Sequence, residues 1–193
     1  MVDPTDLDAD DRLLYLVGVT TRWHVLLEQA ARHVFTTLVA PTPGVYLAPR
    51  SASQLLTDCK LMLMKADIGE DLRTAGSQTL DAALEANQER NRLVHDLFRG
   101  SDQEATWTAV RQPRRGQLGG ESRTVSLRDV ESSLEALRRC EVRVSMLAWG
   151  LRADLPFFRG AGDVWPPRAE VLAYLRDQFS LGADGGTRTL TDS

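Results

Sequence analysis

Between Leu127 and Leu151 the apolar residues Leu127, Val130, Leu134, Leu137, Val144, Leu147, Ala148 and Leu151 keep a period of three to four positions. That period gathers them on one stripe of an α-helix and on no single face of a strand, so the stretch folds as an amphipathic helix. Ser126 and Asp129 stand where a capping box would begin it. A similar stripe runs from about Asp10 to Leu38 through Leu13, Leu16, Trp23, Leu26, Leu27, Ala30, Val34 and Leu38. Pro41-Thr42-Pro43-Gly44 ends it, because proline cannot donate into the helical ladder.

Leu55, Leu56, Cys59, Met62 and Leu63 predict a helix capped by Ser51 or Ser53 and ending about Ala66, with its methionines as core filler. The next helix is expected from near Ser77 to about Phe98, and Pro166-Pro167 predicts a short last one through Val171, Leu172, Leu175 and Phe179. Trp23 and Trp149 read as core. A chain of 193 residues with 42% apolar side chains can bury a core of its own. The expected fold is all-α: a four-helix bundle in a single domain over residues 1–180, followed by a disordered tail at 181–193.

Charge narrows the function classes. The net charge is −4, but the first eleven residues hold five Asp and no Lys or Arg, so the rest carries +1. No general basic coat for nucleic acid exists, while a local anion site stays open. Residues 99–125, between the third and fourth helices, are the one clearly basic part. Here Arg99, Arg111, Arg114, Arg115 and Arg123 face Asp102, Glu104 and Glu121. Five glycines and prolines and the β-prone Thr106-Trp107-Thr108-Ala109-Val110 predict a basic loop or a short β-hairpin. It reads either as solvated surface or as a segment whose Arg111, Arg114 and Arg115 contact RNA phosphates. Trp107 is expected to anchor its base, partly buried, rather than to stack a nucleobase.

Other chemistries find no pattern. Cys59 and Cys140 lie far apart outside any CxxC, His24 and His33 lack neighbours at ligand spacing, and no phosphate-cradling glycine loop occurs. Neither a metal nor a cofactor is expected. The acidic N-terminus and the breaks at Arg22, His24, Arg32 and Lys65 predict a soluble, cytoplasmic chain without a membrane span.

The third helix holds an anomaly. Its stripe opens with Leu80, Ala83 and Leu84, and the same steps lead to Asn87, Asn91, Val94, His95 and Phe98. Asn87, Asn91 and His95 follow one another at i, i+4 and i+8, one above another on a face that begins as core. A buried polar group without a partner costs about 1–3 kcal/mol, so the row needs an internal network or an interface.

The residues Glu89-Arg90-Asn91-Arg92-Leu93-Val94-His95-Asp96 resemble the signature of HEPN-domain proteins: an arginine, a polar residue often asparagine, and a histidine four to six residues beyond the arginine. The resemblance covers about residues 10–152 and includes the motif's position near the end of the third of four helices. Asp96 stands where many relatives have glycine. The resemblance implies a HEPN-like bundle and a metal-independent endoribonuclease, usually a homodimer whose two motifs form one cleft. Arg90, Asn91 and His95 would be catalytic. Histidine ordinarily titrates near neutrality and can move a proton, arginine offers a permanent planar fork to the phosphate, and asparagine can orient the histidine. Attack by the neighbouring 2′-hydroxyl would leave a 2′,3′-cyclic phosphate and a 5′-hydroxyl. The resemblance also implies a toxin or phage-defence setting, sometimes with a nucleotidyltransferase-type antitoxin. The alternative is a non-catalytic HEPN-like module that binds nucleotide or a partner protein. The enzyme needs Arg90 and His95 reachable from solvent in one concave site, whereas the module allows them to be sealed.

Overall fold

The computed structural model describes residues 6–39, 51–101, 105–111, 122–155 and 167–180. They form five helices and three strands: α1 (Ala9–Val39), α2 (Ala52–Lys65), α3 (Glu70–His95), β1 (Leu97–Ser101), β2 (Thr106–Val110), β3 (Ser122–Ser126), α4 (Leu127–Asp154) and α5 (Arg168–Ser180). The tail expected at 181–193 lies outside the described residues.

The caps set where helices begin. Ser126 Oγ accepts from the Asp129 amide at 3.3 Å, and the Asp129 carboxylate accepts from the Ser126 amide at 2.7 Å. This reciprocal pair holds the Asp129 carboxyl below its ordinary pKa. At α2 the capping box is Ser51 with Gln54, which leaves the Ser53 hydroxyl to reach another helix.

Helix α1 packs on α2 and α4, and α3 packs on the same two, so four helices close around a shared core. Leu27, Leu55, Leu56, Leu63, Leu72, Leu80, Leu137, Leu147 and Leu151 are fully buried there. Helix α5 lies against α3 and α4 through Val171, Leu172 and Leu175. Arg168 fixes its start, donating to Asp71 of α3 at 2.7 Å and to Asp154 of α4. The guanidinium holds the Asp71 carboxyl below its usual range.

Helix α3 departs from expectation at both ends. It begins at Glu70, not near Ser77, and Gly76 is a buried helical residue at a close contact. A Cβ there would lie 2.9 Å from Leu63 Cδ2 and from Leu147 Cδ1, so glycine lets α2 and α4 approach α3. It ends at His95, and Phe98 belongs to β1. Asp96 turns the chain extended at φ −79° and ψ 144°, a conformation that requires no glycine.

The basic insert forms more than a hairpin. Strands β1, β2 and β3 make an antiparallel sheet in that order, with Gly100 opposite Trp107 and Trp107 opposite Val125. Trp107 is 3% exposed, more deeply buried than expected, and its indole N–H donates to Asp10 Oδ1 at 2.8 Å. Its ring is committed to packing. Trp149, by contrast, is 41% exposed rather than core, with the Arg152 guanidinium 5.0 Å over its ring. Met62 packs on the core while Met64 points to solvent.

Two apolar clusters result. The larger fills the helical bundle, and the smaller joins Leu13, Leu16, Leu93, Trp107, Ala109, Val125 and Val130 beneath the sheet. Along α1 the clusters are separated between Leu16 and Leu27, and along α3 between Ala86 and Leu93. Polar side chains fill that gap.

Candidate active site

The gap is a layer made by Thr20 and His24 of α1, Ser53 of α2, and Asn87 and Arg90 of α3. Thr20 is buried but satisfied, since its hydroxyl donates to the Leu16 carbonyl at 2.7 Å. Asn87 is 1% exposed, and its Nδ2 donates to Ser53 Oγ at 2.7 Å. The Asn87 Oδ1 is buried without a well-formed hydrogen bond. The His24 ring comes near this carboxamide, and the Arg90 charge is felt at the ring.

Arg90 is half-buried on the row that continues Ala83 and Ala86. Its Nη1 donates to Asn91 Oδ1 at 2.9 Å, while its buried Nε has no acceptor. Burial lowers the Arg90 pKa from its ordinary value. Asn91 is half-buried and His95 is exposed on the last turn of α3. The row of Asn87, Asn91 and His95 therefore climbs from the core to the surface. Among the described residues His95 has no hydrogen bond or ion pair.

Arg90 and Asn91 are thus joined, and His95 is not joined to them. Five positions at 3.6 residues per turn set Arg90 and His95 about 140° apart around α3. A cavity of about 480 Å³ opens between α3 and α4, lined by Glu85, Glu89, Ser132, Arg139, Cys140 and Arg143 among others. Another of about 300 Å³ opens where the end of α3 meets the sheet. Neither is lined by Arg90, Asn91 or His95. Of the RNA-binding candidates, Arg111 lines the smaller cavity, and Arg114 and Arg115 lie outside the described residues. Among the described residues no three His, Cys, Asp or Glu side chains form a group that could hold a metal, and no helix is long and apolar enough to cross a membrane.

Sequence reasoning passed over His24. Its signal was present, because Leu16, Thr20, His24 and Leu27 share three- and four-residue steps and the core row of α1 therefore includes the imidazole. Desolvation, then the Arg90 charge, lowers the His24 pKa from 6.5, against the opposing contact with Asn87. A histidine held neutral in the folded state binds fewer protons there than in the unfolded chain. Its stabilising contribution is therefore full above pH 6.5 and lost as pH falls from 6.5 to the lowered value. In melting experiments across that window, wild type is expected to lose more thermal stability than His24→Gln. Parallel loss in both proteins would show that His24 does not couple to folding.

Comparison with protein-family models, with curated proteins and with solved structures gives no significant match.

Proposed function

We propose that the chain is a HEPN-like, metal-independent endoribonuclease that acts through Arg90, Asn91 and His95. The observation that carries this reading is the bonded Arg90–Asn91 pair, half-buried on α3 one turn before an exposed His95 that no group among the described residues engages. A guanidinium that α3 holds in place can meet the phosphate without reorganising, and an exposed imidazole can move a proton.

Cleavage moves two protons. The 2′-hydroxyl loses one as its oxygen attacks phosphorus, and the 5′-oxygen gains one as the P–O5′ bond breaks. Arg90 and His95 of a single chain point too far apart to serve both ends of this in-line path. A homodimer with the ends of α3 facing supplies two His95 side chains, one as base and one as acid, beside the Arg90 of either copy. The setting that fits such an enzyme is a toxin or phage-defence system in the cytoplasm, with a nucleotidyltransferase-type antitoxin as partner. Neither cavity described above is lined by Arg90 or His95, which favours a second reading, a non-catalytic module that binds nucleotide or protein.

Purified protein is expected to elute and scatter as a dimer at micromolar concentration. It should cut single-stranded RNA in excess EDTA, leave 2′,3′-cyclic phosphate ends, and spare a strand with a 2′-deoxy sugar at the scissile position. A monomer that cuts no RNA under these conditions sinks the enzyme and leaves the binding module.

A further inference from the structure

We propose that the cavity between the end of α3 and strands β2 and β3 is a phosphodiester-binding subsite for a single strand of nucleic acid, formed by Arg92, Arg111, Arg123 and Ser122. The ribonuclease reading enters only in the choice of a nucleic-acid strand as ligand.

The fold assembles this cluster from distant positions. Arg92 stands on the last turn of α3, and Asp96 caps its end. Antiparallel pairing sets Ala109 opposite Arg123 and Val110 opposite Ser122, and Arg111 follows directly after β2. Together with Ala109 these side chains enclose about 300 Å³, near the lower bound of about 300 Å³ for small-ligand pockets.

The charges around the cavity do not cancel. Glu89, outside the lining, accepts from Arg123 Nη1 and from Arg92 Nη1, the latter at 3.3 Å. Asp96 Oδ2 lies 3.8 Å from Arg123 Nε. Arg111 has no ion pair among the described residues. Among the described residues, two carboxylates against three guanidiniums leave one positive charge in excess. Arg123 Nη2 is buried without an acceptor, and a buried donor left so costs about 1–3 kcal/mol. The planar donor fork of the arginines that line the cavity matches phosphate geometry.

The single excess charge also selects the kind of phosphate. A diester carries one negative charge and is balanced, whereas a monoester carries about −1.5 to −2 at neutral pH and meets Asp96 and Glu89 as a surplus anion. Arg92 precedes His95 by three residues, so the two side chains are neighbours on α3. A strand seated by one phosphate in the cavity would therefore pass beside His95.

The test is binding of a fluorescent single-stranded oligodeoxynucleotide, which lacks the 2′-hydroxyl and is read whether or not the protein cuts RNA. Wild type is expected to bind with affinity that falls as salt rises. Arg111→Gln touches a side chain with no ion pair among the described residues and should make the log–log salt slope shallower by about 0.7, the value for one single-strand phosphate contact. Adding Arg92→Gln should flatten it further. Arg22→Gln, an equal charge change on the exposed side of α1, should leave slope and affinity at wild type. The proposal is overturned if wild type does not bind the strand, if Arg111→Gln and the double variant bind like wild type, or if inorganic phosphate alone occupies the site. A protein that binds the strand through Arg111 yet cuts no RNA keeps the subsite and loses the ribonuclease assignment.

Discussion

His95→Ala is expected to slow cleavage of single-stranded RNA by about a hundredfold or more, the usual loss when a general acid or base is removed. The side chain is exposed on the last turn of α3 and holds no hydrogen bond among the described residues, so its removal should leave packing intact. Surface changes of this kind stay within about 0.5 kcal/mol, or about 1–2 °C in melting temperature for a chain of this size. Loss of cleavage with an unchanged melting curve therefore reports chemistry. If cleavage is limited by proton transfer at two His95 side chains, mixing His95→Ala protein with wild type should also lower activity beyond simple dilution, because each mixed dimer lacks one transfer group. A His95→Ala protein that cuts as fast as wild type removes the mechanism.

The helical part of the fold was legible where local and tertiary preferences agree. In α4 the stripe from Val130 to Leu151 and the Ser126–Asp129 box are both local, and the helix forms where they put it. The start of α3 lies about two turns before the expected Ser77, in a stretch where Gly76 packs against Leu63 and Leu147 of other helices, contacts that no local pattern contains. The end of α3 was obscured for a related reason. Leu97 and Phe98 continue the helical step, and only pairing with Ala109 and Val110 draws them into β1. Pairing across a sheet is decided by distant residues that a single window does not contain.

The candidate site was legible in part. The polar row of α3 stood out against its own apolar start, but its partners came from other helices. Ser53 could be read as an alternative cap and His24 as an ordinary helix residue, yet Asn87 bonds the first and approaches the second. The basic insert was visible as composition. Which arginines converge was not, since Arg92, Arg111 and Arg123 meet only once β2 and β3 pair beside α3.

Arg90→Met is expected to abolish most cleavage without weakening the fold. Arg90 occupies a position where the core stripe of α3 would otherwise carry an apolar residue, between the two clusters. Its Nε is buried without an acceptor, and desolvation already disfavours its charge. Replacing such a group by an unbranched apolar side chain removes a desolvation penalty of order 1–3 kcal/mol and extends the packing, at the cost of one bond to Asn91 worth about 0.5–1.5 kcal/mol. The melting temperature should stay level or rise by a few degrees. Cleavage should fall by about a hundredfold to a thousandfold, as when a preorganised donor to a transition-state oxyanion is lost. Removing the Arg90 charge also withdraws one of the two influences that depress the His24 pKa, so the acid limb of the stability profile should shift toward the ordinary histidine range. A variant that melts several degrees lower would mark Arg90 as a structural residue, and the polar layer would then be read as a device for fixing the register of α1 against α3 rather than as half of an active site.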